Sequence, residues 1–117
     1  MTTNTSTLSL DIQKIAKFYL IEDEKQLTEF ISKNPDIVTL LLEAQEHIRK
    51  YFPQEKLVLN VSSDYDYTEW ERVKVFIYVG VNDVDEASNK LSQFDNDWWI
   101  NNCSGIGLKL YIGLEFE

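Results

Sequence analysis

Few residues of this chain have the types and spacing that catalysis needs. His47 is the sole histidine and Cys103 the sole cysteine. A nucleophilic thiol needs a base or a partner thiol, and Cys103 has neither a histidine nearby in sequence nor a Cys-X-X-Cys companion. Glu43 lies one helical turn before His47, but two side chains do not make a metal site, and His47 is expected at the surface or flanking a helix stripe. The run "SDYDYTEWER" sets Asp64, Asp66, Glu69 and Glu71 among Tyr65, Tyr67 and Trp70. Hard cations take carboxylate oxygens, yet a calcium loop needs a central glycine and a bidentate glutamate at fixed spacing, and this run has no glycine. Gly105-Ile106-Gly107 precedes an alternating apolar run instead of following one and opening a helix, which is the wrong context for a phosphate. No metal, no cofactor and no catalytic pair is therefore expected, and the chain reads as a non-enzyme.

Aromatic residues offer better candidates. Acids interleaved with large rings suit a protein contact, because Tyr and Trp are enriched where partners dock. Tyr65, Tyr67 and Trp70 are accordingly expected in a docking loop, the alternative being a packed loop whose rings fold back on the sheet edge. Near the C-terminus, Val84, Ala87, Leu91, Phe94 and Trp98 recur at helical spacing. At about 100° per residue Trp98 projects within about 20° of Leu91 and belongs to the core, while Trp99 falls about 80° away, at the rim. Asp95 lies one turn before Trp99, where its carboxylate can accept from the indole N–H. For Trp99, rim packing and partner contact stand as equal alternatives.

These residues are carried by elements legible in the periodicity. Leu10 to about Leu20 reads as a short amphipathic helix with Ile15 and Tyr19 on one face. Asp23 to Gln26 has capping-box spacing before Leu27, Phe30 and Ile31. Asn34-Pro35 signals the start of a third helix running to about Phe52, striped by Ile37, Leu41, Ala44, Ile48 and Phe52. The period then changes to two. Leu57, Leu59 and Val61 mark one strand, and Val73, Val75, Ile77 and Val79 mark a second. Asn82 or Asp83 opens a helix, and Leu108, Leu110, Ile112, Leu114 and Phe116 mark a last strand. Between the first two strands the segment "SDYDYTEWE" is too long for a tight two-residue turn.

The order α-α-α-β-β-α-β predicts an α+β fold with a three-stranded mixed sheet covered by helices on one face. The helix after the second strand makes a βαβ crossover, so strands two and three should be parallel. Placing strand one between them gives a split βαβ, a ferredoxin-like unit lacking its first strand. Residues 1–7 read as a disordered tail and 8–117 as one domain. The uncovered sheet face would show Lys74, Phe76, Tyr78, Lys109, Tyr111 and Glu115. Such faces stack on bases in RNA-binding sheets, but here two lysines accompany the rings, so a solvated or self-paired face is expected.

With 117 residues, 44% apolar and 26% charged, the composition is that of a soluble globular protein. The formal charge is −9, and from Glu55 onward 12 acids oppose 5 Lys and Arg, against 8 and 6 before it. A surface like that repels phosphate backbones and anionic membranes, so neither nucleic acid nor membrane is an expected partner. The apolar runs are too short to cross a bilayer, and the N-terminus lacks the basic and apolar regions of a signal peptide. A cytoplasmic location is the expectation.

The stretches "KIAKFYLIEDEKQLTEFI", "NPDIVTLLLEAQEHIRKYFP", "DEASNKLSQFDNDWW" and "GLKLYIGLEFE", with the strand Val75-Phe76-Ile77-Tyr78, resemble a group of small acidic, uncharacterised prokaryotic proteins frequent in cyanobacterial genomes. The resemblance implies no activity and no catalytic residues. It implies a member of a small gene pair, of toxin–antitoxin-like kind. The sequence thus points to a protein-interaction module, an acidic antitoxin-like partner of a basic protein, or a chain that pairs with itself. The competing expectation is a small ligand-binding domain or enzyme using the open sheet face around Phe76, Tyr78 and Tyr111.

Overall fold

The computed structural model describes residues 10–64 and 67–117, with the backbone alone for 62–64 and 67–71. The expected tail, residues 1–7, lies outside the described residues. Helix α1 (10–16) buries Ile12 and Ile15 and then unwinds. It does not reach Leu20 as expected. Leu20–Ile21 instead form a short strand, β1, parallel to the strand Lys56–Asp64, β2. The β-prone run Phe18-Tyr19-Leu20-Ile21 gains a sheet partner by leaving the helix. Tyr19 turns inward at this break and donates its hydroxyl to the Leu41 carbonyl at 2.7 Å. Burial pushes the Tyr19 phenol above the ordinary tyrosine range, partly offset by the Arg49 charge.

Helix α2 (Glu24–Lys33) is capped by Asp23, whose carboxylate accepts from the Gln26 N–H at 3.1 Å. Asn34 plays a different part from the one its position before a proline suggests. It closes α2, donating its side-chain amide to the Phe30 carbonyl at 3.1 Å, and α3 (Ile37–Tyr51) starts after Asp36. One stripe of α3, with Ile37, Leu41, Ala44 and Ile48, is fully buried. Arg49 then ties the end of α3 to the start of β2, donating to the carbonyls of Phe52 at 2.9 Å and Glu55 at 2.6 Å.

Strand β3 (Tyr67–Val79) is longer than expected. Asp64 pairs with Tyr67, so only residues 65–66 separate the paired ends, and the expected loop is mostly strand. Tyr, Thr and Trp favour the pleated ladder, and a register shift between Ser62 and Asp64 adjusts the pairing. Helix α4 (Val84–Asp97) follows a short turn of 3₁₀-helix at Val81–Asp83 and leads to β4 (Leu110–Phe116). The sheet is four-stranded in the order β1-β2-β3-β4. The expected three-stranded split βαβ is therefore corrected: β4 pairs directly and in parallel with β3, and β2 lies on the other side of β3, antiparallel to it. The α+β class and the βαβ crossover stand. Leu108, expected in the last strand, belongs to a 3₁₀ segment at Gly105–Lys109 and is 68% exposed.

All helices cover one face of the sheet. Leu59, Val73, Val75 and Ile77 are fully buried there, in one cluster with Phe30, Phe52 and Phe94. Each such ring contributes about 1.5–3 kcal/mol through the apolar area it removes from water. Among the described residues, no helix is long and apolar enough to cross a membrane.

Candidate functional site

The uncovered face of the sheet is built by the strand residues that alternate with the core. Register places Leu20 beside Val58, Val58 beside Phe76, and Phe76 beside Gly113, so one apolar row crosses all four strands. Val58 is 6% exposed although it takes no part in the helix-side cluster, so the side chains of the open face bury it. Tyr111 lies across Gly113, where an added Cβ would run into its ring. That ring meets Phe76 at 6.0 Å between centroids, tilted by 58°. A side chain at 113 would therefore displace the Tyr111 ring from its place over the strand.

The next row holds Asn60, Lys74 and Tyr111, and beyond it Arg72 pairs with Ser62. Lys109 stands at the foot of the same corner, directly before Leu110, the partner of Val73. Arg72, Lys74 and Lys109 have no ion-pair partner among the described residues. On the other side of the apolar row Lys56 is already engaged, 4.4 Å above the Tyr78 ring and 3.6 Å from Glu117. A chain of charge −9 thus keeps a corner of cations without ion-pair partners among the described residues, beside the Phe76, Tyr78 and Tyr111 rings.

Of the residues expected to bind, Phe76, Tyr78 and Tyr111 share this face. Tyr65 lies outside the described residues, and of Tyr67 and Trp70 only the backbone, within β3, is described. Trp99 is elsewhere, at the end of α4. There Trp98 is 9% exposed, and the rings of Phe94 and Trp99 each lie 5.8 Å from it between centroids. Trp99 is half-buried, its ring 3.6 Å from where a Cβ on Gly107 would stand, so the Gly105–Lys109 turn packs on it. The expected bond from the Trp99 indole to Asp95 is not made among the described residues. Asp97 instead accepts from the Tyr51 hydroxyl. Asp95 is half-buried, and burial raises its carboxyl above the ordinary aspartate range.

His47, expected at the surface or flanking the stripe, is half-buried on that flank, and its ring stacks on Trp98 at 4.7 Å and 13°. Its position on the flank of the α3 stripe, one turn before Tyr51, was the available signal. Lys50 Nζ lies 3.5 Å from His47 Nδ1. Cys103 is half-buried, its thiol 3.6 Å from the Ile100 carbonyl. Nothing in this cluster pairs a nucleophile with a base. Among the described residues no three His, Cys, Asp or Glu side chains are grouped to hold a metal ion.

A cavity of about 210 Å³ opens where β3 runs into α4, lined by Phe52, Glu55, Tyr78, Asp83, Glu86 and Lys90 among others. That is below the ~300 Å³ at which pockets for small organic ligands begin. Lys90 and Glu86 are 3.3 Å apart and neutralise each other at its wall.

Missed in the sequence were Leu20, Val58, Lys56 and Arg72. The last three share the parity of Lys74, Phe76 and Tyr78 within their hairpin, so alternation carried the signal, whereas Leu20 needed the unforeseen β1. No family model, no curated protein and no solved structure matches this chain.

Proposed function

We propose that this chain is a non-enzymatic protein-interaction module that receives a partner on its open sheet face. The observation that carries the reading is the apolar row Leu20–Val58–Phe76–Gly113, topped by the Tyr111 ring and bordered by Arg72, Lys74 and Lys109, which have no ion-pair partner among the described residues. Apolar centre, aromatic anchors and polar rim are the anatomy of a protein interface. The cations ask for carboxylates on the partner surface that meets them. A ligand-binding or enzymatic use of the same face has less support, because the cavity reaches it only through Tyr78 and brings together no catalytic pair.

The antitoxin-like reading, an acidic chain covering a basic protein, draws on a different surface. Asp85, Glu86, Asp95 and Asp97 lie on α4 with Lys90 as its sole cation. A basic partner would be held there, by long-range attraction that raises its association rate.

Co-expression with the product of the adjacent gene, followed by capture on a tagged chain, tests both. Phe76→Ala with Lys74→Glu is expected to weaken capture at least tenfold while leaving the fold intact. Asp85→Lys, which breaks no contact of the fold, is expected to slow association only. Undiminished capture by the Phe76 and Lys74 variant would remove the open face from consideration.

A further inference from the structure

Strand β4 is the edge of the sheet, with β3 on one side and no described strand on the other. Natural edges are blunted by proline, bulges or inward charges. β4 has no proline, and its seven residues pair with β3 without a register shift. Glu117 donates its N–H to the Val79 carbonyl, so the odd-numbered residues turn their backbone groups toward β3. By alternation Leu110, Ile112 and Leu114 present theirs to the outside.

The sequence of this edge is self-complementary when read against itself in the opposite direction. About Ile112 as centre, Lys109 falls opposite Glu115, Leu110 opposite Leu114, Tyr111 opposite Gly113, and Ile112 opposite its own copy. Every outward-facing residue then meets an outward-facing one, as an antiparallel ladder demands. Tyr111 of each copy stands opposite Gly113 of the other, above which that copy's own Tyr111 ring lies, so the two rings come side by side on the open face. At both ends Lys109, the last residue of the 3₁₀ segment before the strand, comes next to Glu115 of the other copy, where opposite charges attract and like charges would repel. Glu115 and Lys109 have no ion-pair partner among the described residues of their own chain. The mutual repulsion of two chains of charge −9 is screened beyond about 8 Å at physiological salt, leaving the contact pairs to decide.

We infer that the chain forms a two-fold dimer in which β4 pairs antiparallel with β4 of a second copy, in register about Ile112, extending the two sheets into one. The interface is isologous, so each of its contacts occurs twice. It is also small, and a dissociation constant on the order of micromolar is expected. The open faces of the two copies become continuous, doubling the row that Phe76 anchors, but the dimer does not depend on that face having a partner.

Sedimentation equilibrium across a concentration series tests the inference. The mass is expected to rise from 13.7 kDa to twice that value. Lys109→Glu and Glu115→Lys, each placing like charges opposite each other at both ends, are each expected to weaken association at least tenfold. The two variants mixed in equal amounts are expected to associate again, since each then supplies the charge the other lacks. Their circular dichroism should match that of the parent chain, and recovery on mixing excludes a folding defect. Phe76→Ala should leave the mass unchanged. A parent chain that stays monomeric at the highest concentration would overturn the dimer. So would a dimer indifferent to both charge reversals, or one abolished by Phe76→Ala, which would place self-association on the open face.

Discussion

On the helix-covered side of β3, Val73, Val75 and Ile77 have no exposed surface, while on the open side Arg72, Lys74, Phe76 and Tyr78 keep part of theirs in water. The two sets alternate along one strand, so backbone, register and neighbours are shared and only the side chains differ. The covered set is aliphatic and β-branched, with no polar atom to satisfy. It does its work by filling volume. Three of the open set carry an apolar body and a polar tip, and these can lie on the sheet while leaving the tip for something else. The comparison assigns stability to one face and recognition to the other.

The largest expected effect tests that assignment directly. Ile77→Ala removes fully buried volume and should cost about 2–4 kcal/mol, lowering Tm by roughly 10 °C for a chain of this size. Phe76→Ala, one residue away and larger in volume removed, should cost less than half as much because its ring is already partly hydrated. Equal losses in a denaturant titration would break the comparison and make the open face structural.

A second variant pair sharpens what holds the open face together. Alanine normally improves a strand position occupied by glycine, but at Gly113 its methyl would enter the Tyr111 ring. Gly113→Ala is expected to destabilise by about 1–3 kcal/mol, as overpacking does. Adding Tyr111→Ala should recover most of that loss, because the space is then free. If the double variant is no better than the single one, Tyr111 does not define the space above Gly113.

The covered face was legible because burial imposes alternation, and Val73 to Val79 shows it without interruption. The α4 stripe was legible for the same reason through Ala87, Phe94 and Trp98, although Val84 at its start is 39% exposed. What the chain hides is pairing. Leu20–Ile21 is too short to show a period, so β1 could be found only from its partner Leu59. Strand order depends on which edges meet in space, which no local pattern records, and the split arrangement failed there. The open face was half legible: Phe76, Tyr78 and Tyr111 followed from alternation. Val58 resembled its buried neighbours Leu57 and Leu59, and nothing local distinguished the side it faces. Stacking of His47 on Trp98 joins α3 to the residue just past the end of α4, and nothing near His47 in sequence announced a partner so far along the chain.

Asp95 provides the smallest effect and the finest distinction between covered and open surroundings. It lies in the last turn of α4, which contains no basic residue, so the negative end of the helix dipole adds to the cost of its charge. Desolvation raises its carboxyl above the ordinary aspartate value of about 3.9. In the window between that value and the raised one the folded chain binds more protons than the unfolded chain, so stability falls as pH rises through it. Below the window both states are protonated and the penalty is absent. Above it the penalty is fully present. Asp95→Asn should therefore raise Tm at neutral pH, by about 1–3 °C given how much of the side chain meets solvent. The gain should vanish when unfolding is followed below the ordinary aspartate range. A gain of the same size at both pH values would trace the effect to packing or helix propensity, and a loss at neutral pH would mean that the Asp95 carboxylate has a stabilising contact.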